Sequence, residues 1–240
     1  MLATYTMFKK DINTCYPFAV AMEMVHNFSL IHDDLPGIDN DDIRHGKLTN
    51  HKKFNESTAI LAGDALLNYA YLVIAKSMQD NIDLKIKCLN ELSCGIDKMI
   101  AGEYLDTECE NKQISKELLE YIHKNKTGEL IKASVRIGAI LGEANEDQLN
   151  DLTIYADKIG LAFQIKDDIL SEIGDTKKTG KPVGNDKSAN KCTFVSMYGI
   201  EKSKQILQEL TNDAVLIMDK FLESGEFLKE LAKFIQNREK

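Results

Sequence analysis

The sequence contains no tryptophan and few helix-breaking residues, with 3 prolines and 14 glycines among 240 residues. Proline interrupts helices and glycine weakens them, so their scarcity favours long helices. Apolar residues recur at helical spacing, and no segment shows the alternation that is typical of strands. The predicted helices cover residues 17–34, 59–78, 84–104, 115–141, 147–170, 191–224 (one helix or a broken pair) and 226–238. Because no repeat or linker interrupts this pattern, we predict one all-α domain over residues 1–240.

The chain also lacks cysteine pairs, an excess of basic charge and long apolar runs. Its five cysteines form no C-x-x-C pair, which argues against a disulfide framework or zinc ribbon and favours a reducing compartment. Asp plus Glu (38) outnumber Lys plus Arg (30), and the net charge of −8 argues against nucleic acid as a partner. No run approaches the ~20 apolar residues of a membrane span, and the N-terminus has no signal-peptide pattern. We expect a soluble, cytoplasmic protein without stable membrane insertion.

Two pairs of aspartates stand near the C-terminal ends of predicted apolar helices. Asp33 and Asp34 form the first pair, with Asp39 soon after, and Asp167 and Asp168 form the second. The C-terminal end of a helix is already negative, so carboxylates there need a compensating cation unless they only cap helices or lie in solvated loops. Hard carboxylate oxygens without cysteine suit Mg²⁺, which takes its remaining ligands from water and substrate phosphate. The pattern therefore predicts a Mg²⁺ site that binds a diphosphate.

Other polar side chains share helix faces with these aspartates. His26 and Ser29 lie two turns and one turn before Asp33, and Gln164 lies one turn before Asp167. Four cations are candidates for binding diphosphate oxygens, although each is also explained as a solvated surface charge: Arg44, Lys47, Lys126 and Lys181. With apolar helix faces below the aspartates, we predict a bundle that binds a diphosphate head and an apolar tail.

At these residues the sequence resembles the trans-polyprenyl diphosphate synthases, most closely the bacterial short-chain farnesyl or geranylgeranyl type. The stretch SLIHDDLPGIDNDDIRHG (29–46) is similar to the family's first aspartate-rich motif, D-D-x-x-x-x-D. Three further stretches match family helices in the same order, the last carrying the second aspartate motif: LAGDALLNYA (61–70), HKNKTGELIKASVRIGAILG (123–142) and GLAFQIKDDIL (160–170). The resemblance, from about Tyr16 to the C-terminus, implies an isoprenoid-synthase-like helical bundle around a central apolar cavity.

The resemblance implies a Mg²⁺-dependent prenyltransferase that condenses isopentenyl diphosphate with an allylic diphosphate to a short-chain product, C15 farnesyl diphosphate. Three Mg²⁺ ions would lie between the two motifs, with Asp33 and Asp39 holding two and Asp167 the third. The resemblance also assigns the catalytic and substrate-binding roles. Residues expected around the allylic diphosphate and its cation are Arg44, Lys126, Thr127, Gln164 and Lys181; those expected at the isopentenyl diphosphate site are His26, His45 and Phe163.

The same resemblance assigns product length and assembly. Phe28 and Ser29, just before the first motif, would set chain length, and a bulky Phe28 would close the apolar shaft early and favour a farnesyl product. Phe28 is equally explained as plain core. The family is usually homodimeric through apolar helices, and the helix over 59–78 suits such an interface, with burial inside the monomer as the alternative.

Three departures from the family pattern bear on activity. The chain begins after the family's early Gly-Lys-Arg motif, so the usual N-terminal helices and their cations are missing, as in a fragment or a naturally short form. His45 replaces the second of two paired arginines, and a neutral imidazole cannot replace a bidentate guanidinium. Ser171 replaces the last aspartate of the second motif. Two of these losses fall on the isopentenyl diphosphate site, so we predict impaired binding there.

Two other interpretations share much of this chemistry. A non-catalytic or regulatory synthase-like subunit fits the losses, although the intact first motif opposes it. A terpene cyclase shares Mg²⁺-driven ionisation, and Asp168 and Ser171 match part of its second motif. Gln164 ahead of the aspartates favours the synthase instead.

A carboxylate-bridged di-iron bundle is a third alternative. It needs two Glu-x-x-His motifs, and the chain has Glu23 with His26 and Glu120 with His123. This interpretation leaves both aspartate clusters unexplained.

Overall fold

The computed structural model describes residues 1–77, 79–173 and 192–239, and these are almost entirely helical. The helices are α1 Leu2–Thr6, α2 Tyr16–Asp33, α3 Asn50–Lys53, α4 Glu56–Ala75, α5 Ile82–Glu108, α6 Lys116–His123, α7 Glu129–Leu141, α8 Glu146–Ile173, α9 Phe194–Tyr198, α10 Ile200–Asp219 and α11 Glu226–Asn237. Short 3₁₀ turns cover Ile12–Thr14 and Leu222–Gly225, and a π-helical turn covers Lys124–Gly128. The prediction of an all-α fold is confirmed.

Helix beginnings follow the capping residues in the sequence. The side chain of Asn55 accepts a hydrogen bond from the Thr58 amide (2.8 Å) at the start of α4. Ser115 does the same for the Leu118 amide (3.2 Å) at the start of α6. Such caps satisfy amides that have no partner within the helix, and so they set where each helix begins.

A single helix over 115–141 was the expectation, and it is wrong in one detail. The π-helical turn Lys124–Gly128 separates α6 from α7. Apolar spacing is nearly the same on both sides of such a turn, so the pattern does not reveal it. Two glycines let neighbouring helices approach its backbone: a Cβ on Gly102 would lie 2.2 Å from the Lys126 nitrogen, and one on Gly160 would lie 2.7 Å from the Gly128 Cα. The turn is therefore held between α5 and α8.

The expectation that the chain contains no strand is also wrong in one place. Strands β1 (Ile43–Arg44) and β2 (Lys47–Leu48) pair antiparallel, with Arg44 opposite Lys47. His45 and Gly46 connect them with φ of 51° and 73°. Two successive positive φ angles are typical of the type I′ turn that closes tight hairpins. Two residues per strand are too few for apolar alternation to be recognised.

The buried core runs through the bundle in three adjoining clusters. The first joins α2, α4, α5 and α7, with Phe18, Val25, Leu92 and Ile137 among its members. A second joins α7 and α8 to α10 and α11, and a third packs α9 against α6, α8 and α10. An apolar groove of about 480 Å³ lies between the first turns of α2 and the last turns of α4. The aspartates lie at the other end of α2, roughly 25 Å away along its axis.

Helix α4 was expected to form a dimer interface or to be buried inside the monomer, and most of it is not buried within the chain. Only its small-residue face and Ile74 are buried, whereas Leu61 is 66% and Tyr69 53% exposed. The small residues pack against α2, and no described part of the chain covers the opposite face. By length and composition alone, α4 is also the one helix among the described residues that could cross a membrane. The polar residues Glu56, Asp64 and Asn68 interrupt it, so it is not a continuous apolar run.

Candidate active site

Three carboxylates from different elements meet beside the end of α2. The chain turns sharply after Asp33, and the Asp39 amide donates to the Asp33 carbonyl (2.9 Å). This turn brings the Asp39 side chain back towards Asp33, and Glu103 approaches from α5. One carboxylate oxygen of each of the three residues lies within 4.8 Å of the others. Two of the predicted metal ligands thus lie together with a carboxylate that the motif does not include.

Asp34 has a different environment from its neighbour. It is buried, and it accepts a hydrogen bond from the Arg44 Nε (2.8 Å). Arg44 also donates to Asp33 (3.1 Å). Burial alone would lower the pKa of Arg44, but the bond to Asp34 and the nearby carboxylates raise it above its ordinary value. The hairpin β1–β2 therefore places a permanent positive charge next to the three carboxylates.

Lys126 supplies a second cation from the π-helical turn. Its Nζ donates to Glu103 (3.0 Å) and Asp106 (2.8 Å) and lies 3.9 Å from an oxygen of Asp33. Burial alone would lower the pKa of Lys126, but the surrounding carboxylates raise it well above its ordinary value. Lys126 is thus a fixed ammonium at the point where α2, α5 and the π-helical turn meet.

The π-helical turn also contacts the second aspartate motif on α8. The Thr127 hydroxyl donates to Gln164 Oε1 (2.9 Å). Asp168 is buried and accepts from the Phe194 amide (2.7 Å) and, more weakly, from Gln164 (3.4 Å). Nε2 of His123 lies 3.8 Å from Asp168. Burial lowers the pKa of His123 to about 4, so its imidazole is neutral at neutral pH.

Asp167, the other aspartate of that motif, faces the C-terminal residues. Arg238, directly after α11, donates to the Asp167 carboxylate and to the Phe163 carbonyl (3.2 Å). Its guanidinium carbon lies 4.1 Å from the centre of the Phe163 ring, a cation–π contact. A basic C-terminal side chain thus covers one of the predicted metal ligands and one of the predicted substrate-binding residues.

The electrostatics of the three-carboxylate group favour a bound cation. Burial raises the pKa of Glu103 to about 7, and the charges of Asp33 and Asp39 add to this effect, whereas Lys126 opposes it. Burial and Asp39 also raise the pKa of Asp33, against the opposing charges of Lys126 and Arg44. For both carboxyl groups, the effect of burial exceeds the stabilisation that the neighbouring positive charges give to the ionised form. Because all the donors are hard oxygens, Mg²⁺ fits this group.

The remaining predicted residues lie at various distances from this centre. His26 is exposed on α2, and the Ser29 hydroxyl donates to its carbonyl (2.9 Å). Phe28 is buried, and its ring meets that of His32 edge-on, with centroids 4.9 Å apart. His45 and Lys47 are exposed on the hairpin. Lys181 lies outside the described residues.

Neither Glu-x-x-His pair forms a metal site. Among the described residues, the group of three potential ligands that lie close together is Asp33, Asp39 and Glu103, and it contains no member of those pairs. Glu23 instead accepts a hydrogen bond from Asn27 (2.9 Å). The described residues therefore give no support to a di-iron centre.

Sequence reasoning did not assign four residues to this site: Glu103, Asp106, Arg238 and His123, which was named only as a member of a Glu-x-x-His pair. For Glu103 and Asp106 a signal existed, because they stand one turn apart at the C-terminal end of a helix, like both aspartate pairs. His123 and Arg238 carry no comparable signal. Their roles depend on contacts with α8 that arise only when the helices pack.

The chain is similar to known proteins over almost its whole length. A sequence model described as polyprenyl synthetase matches residues 1–221. The farnesyl diphosphate synthase of Micrococcus luteus is 45% identical over 226 residues, which cover 93% of this chain and 77% of that protein. That of Geobacillus stearothermophilus is 44% identical over 211 residues, covering 86% of this chain and 71% of that protein. The crystal structure of a Helicobacter pylori geranyltransferase complexed with magnesium and isoprenyl diphosphate aligns with a TM-score of 0.85 at 30% identity, over 98% of this chain and 80% of that one.

Proposed function

Because the chain belongs to the polyprenyl synthetase family and is a prenyltransferase, we propose that it uses Mg²⁺ to condense isopentenyl diphosphate with an allylic diphosphate. We propose C15 farnesyl diphosphate as the product. The observation that carries the proposal is the convergence of Asp33 and Asp39 with a third carboxylate beside Lys126. This arrangement combines ligands for a divalent cation with a cation for the diphosphate that the metal would bind.

The aspartates of the two motifs are the proposed ligands. Asp33 and Asp39 would hold two ions and Asp167 a third, while Asp34 and Asp168 would orient these ligands through their bonds to Arg44 and the Phe194 amide. Bound Mg²⁺ neutralises the diphosphate and makes it a better leaving group. Arg44 and Lys126 add hydrogen bonds to the diphosphate of the allylic substrate, and Lys181 is proposed to join them.

Thr127 and Gln164 are proposed to face the reacting carbon. As the carbon–oxygen bond to the diphosphate breaks, positive charge develops on the allylic carbon. The oxygens of Thr127 and Gln164 lie 2.9 Å apart and offer lone pairs to this charge. The double bond of isopentenyl diphosphate forms the new carbon–carbon bond, and the proton lost from the adjacent carbon goes to the departing diphosphate. Water must be excluded, because it would otherwise capture the cation.

We propose that the active site binds isopentenyl diphosphate more weakly than it binds the allylic substrate. His26, His45 and Phe163 are its proposed members. His45 lies exposed at the tip of the hairpin, and its imidazole lacks the paired donors of an arginine. We therefore expect a high KM for isopentenyl diphosphate, with less effect on the allylic substrate.

We also propose a homodimer that acts in the cytoplasm. The exposed apolar face of α4 supports the dimer, because a second copy would cover it. The five cysteines are free thiols, which supports a reducing compartment.

The test is to incubate the purified protein with geranyl diphosphate, isopentenyl diphosphate and Mg²⁺ and to identify the products by mass. The proposal expects a C15 diphosphate that is absent when either substrate or Mg²⁺ is omitted. Turnover of the allylic substrate alone to a hydrocarbon would indicate a cyclase. A folded protein that binds the allylic substrate and forms no product would indicate a non-catalytic subunit.

A further inference from the structure

We propose that Glu103 is a third protein ligand at the first metal site, alongside Asp33 and Asp39. The inference deepens the proposed function and rests on it. It adds to the site a residue on α5, 64 positions beyond Asp39 and outside both aspartate motifs.

The three carboxylates lie close enough together for one metal ion to draw an oxygen from each. Mg²⁺ binds oxygen at about 2.1 Å in an octahedron, so two of its ligands are about 3 Å apart when adjacent and about 4.2 Å apart when opposite. One oxygen each from Asp33, Asp39 and Glu103 already lies within 4.8 Å of the others. At least two pairs among any three octahedral ligands are adjacent, so shifts of up to about 1 Å per oxygen would bring all three onto one ion. The three side chains come from α2, the turn after it and α5, so they converge from separate elements.

The charge balance around the group points in the same direction. Five carboxylates meet here: Asp33, Asp34, Asp39, Glu103 and Asp106. Arg44 and Lys126 are each bonded to two of them. A divalent cation bound by Asp33, Asp39 and Glu103 would add positive charge where these three carboxylates approach one another. Independently of the cluster, the H. pylori relative was crystallised in complex with magnesium.

The competing explanation is that Glu103 serves only to hold Lys126. Asp106 separates the two explanations, because it bonds the same Nζ at 2.8 Å, against 3.0 and 2.9 Å for the two oxygens of Glu103. Asp106 is not part of the close group with Asp33 and Asp39. Glu103→Gln and Asp106→Asn are therefore matched variants: each removes one negative charge next to Lys126, and only the first removes a proposed ligand.

The experiment is a titration of the substrate-free protein with Mn²⁺, followed by electron paramagnetic resonance, in which Mn²⁺ serves as the visible substitute for Mg²⁺. We expect Glu103→Gln to weaken Mn²⁺ binding at least ~10-fold and Asp106→Asn to weaken it less than ~3-fold. Glu103→Asp keeps the charge but withdraws the oxygen by one carbon, and it should also weaken binding. Circular dichroism checks that each variant is folded.

Equal losses in Glu103→Gln and Asp106→Asn, or no loss in either, would overturn the assignment, as would a wild-type protein that binds no Mn²⁺. Product formation by the wild type at saturating Mg²⁺ is measured separately. If the wild type forms product while Glu103→Gln binds Mn²⁺ normally, the proposed function stands and the role of Glu103 is wrong.

Discussion

Phe28 is the residue at which one substitution is expected to change the product. It is buried on α2, five residues before Asp33, with its ring against His32. If the growing chain extends from the aspartates along α2, the Phe28 ring ends the space available to it. We expect Phe28→Ala to move the product from C15 towards C20, as measured by mass spectrometry of the prenyl diphosphates.

Met22→Ala is the control for this substitution. Met22 is also buried on α2, but six residues earlier and about 120° away around the helix. We expect Met22→Ala to leave the length of the prenyl product unchanged. An unaltered C15 product from a folded, active Phe28→Ala variant would show that Phe28 is ordinary core.

Single residues of the site were predictable to the extent that they stand in a recognisable pattern. Asp33 and Asp39 belong to one motif, and the turn between them brings their side chains together. Their carboxylate oxygens do lie close to each other. The approach of Glu103 depends on how α5 packs beside α2. Arg238 meets Asp167 across 71 residues, which no local pattern encodes.

Among the elements, the π-helical turn leaves no room for a side chain on the helix that packs against its backbone. Gly102 allows α5 to lie against the backbone of Lys126, and an added methyl group would meet it at 2.2 Å. We expect Gly102→Ala to lower the free energy of unfolding by about 1–3 kcal/mol, because such overpacking forces the backbone to shift. Because the shift displaces Lys126, kcat should also fall. Chemical denaturation and steady-state assays measure the two effects.

Gly37→Ala is the matched control near the same site. A Cβ at Gly37 would meet nothing within 4 Å. This variant should keep wild-type stability and turnover. Equal behaviour of the two variants would contradict the close packing of α5 on the turn.

A buried ion network braces the helices beside this turn. Glu129, the first residue of α7, accepts from Lys98 on α5 (3.1 Å) and from Lys132 (2.7 Å). Burial alone would raise the pKa of Glu129, but these two lysines hold it below its ordinary value. A carboxyl group with a lowered pKa stabilises the fold above its unfolded pKa, and this contribution is lost as the pH falls below about 4 through the folded value.

Glu129→Gln should therefore unfold with a shallower dependence on pH below about pH 4.5 than the wild type. It should also be less stable at pH 7 by about 1–3 kcal/mol, because two lysines lose a charged partner. Urea denaturation at a series of pH values measures both. Glu201→Gln, at an exposed side chain that pairs with Lys204, should change neither quantity. A pH profile of Glu129→Gln identical to that of the wild type would contradict the account of the network.

The helices themselves were largely predictable, because their apolar spacing and N-cap residues are local properties of the chain. The break at Lys124–Gly128 was not, since the residues on both sides favour a continuous helix. Packing of Gly102 and Gly160 against the turn selects the wider geometry only in the folded bundle. The hairpin β1–β2 was not predicted for a different reason. Its two strands have two residues each, which is too few to show an alternation of apolar residues.

At the scale of the whole molecule, the apolar face of α4 is the surface that needs an explanation. Leu61 and Tyr69 are more than half exposed, and Leu72 lies on the same helix at 36% exposure. We expect the protein to sediment as a dimer and Leu61→Asp to shift it towards monomer, because a charge buried at an interface is costly. Leu222→Asp is the control, since Leu222 is 79% exposed in a short turn far along the chain. A monomeric wild type at micromolar concentration would contradict the proposed dimer.

The central claim is that Asp33 and Asp39 of the first aspartate-rich motif form the Mg²⁺ site of a prenyltransferase. One measurement tests this claim most directly. Formation of C15 diphosphate is followed as a function of Mg²⁺ concentration in the wild type, Asp33→Ala and Asp42→Ala. Asp42 lies just beyond the group and pairs with Lys52 (2.9 Å), so it is the control. We expect the wild type and Asp42→Ala to form product that chelation of Mg²⁺ abolishes, and Asp33→Ala to be slower by about 100-fold or more. Product formation that persists without Mg²⁺, or equal rates for the two variants, would contradict the claim.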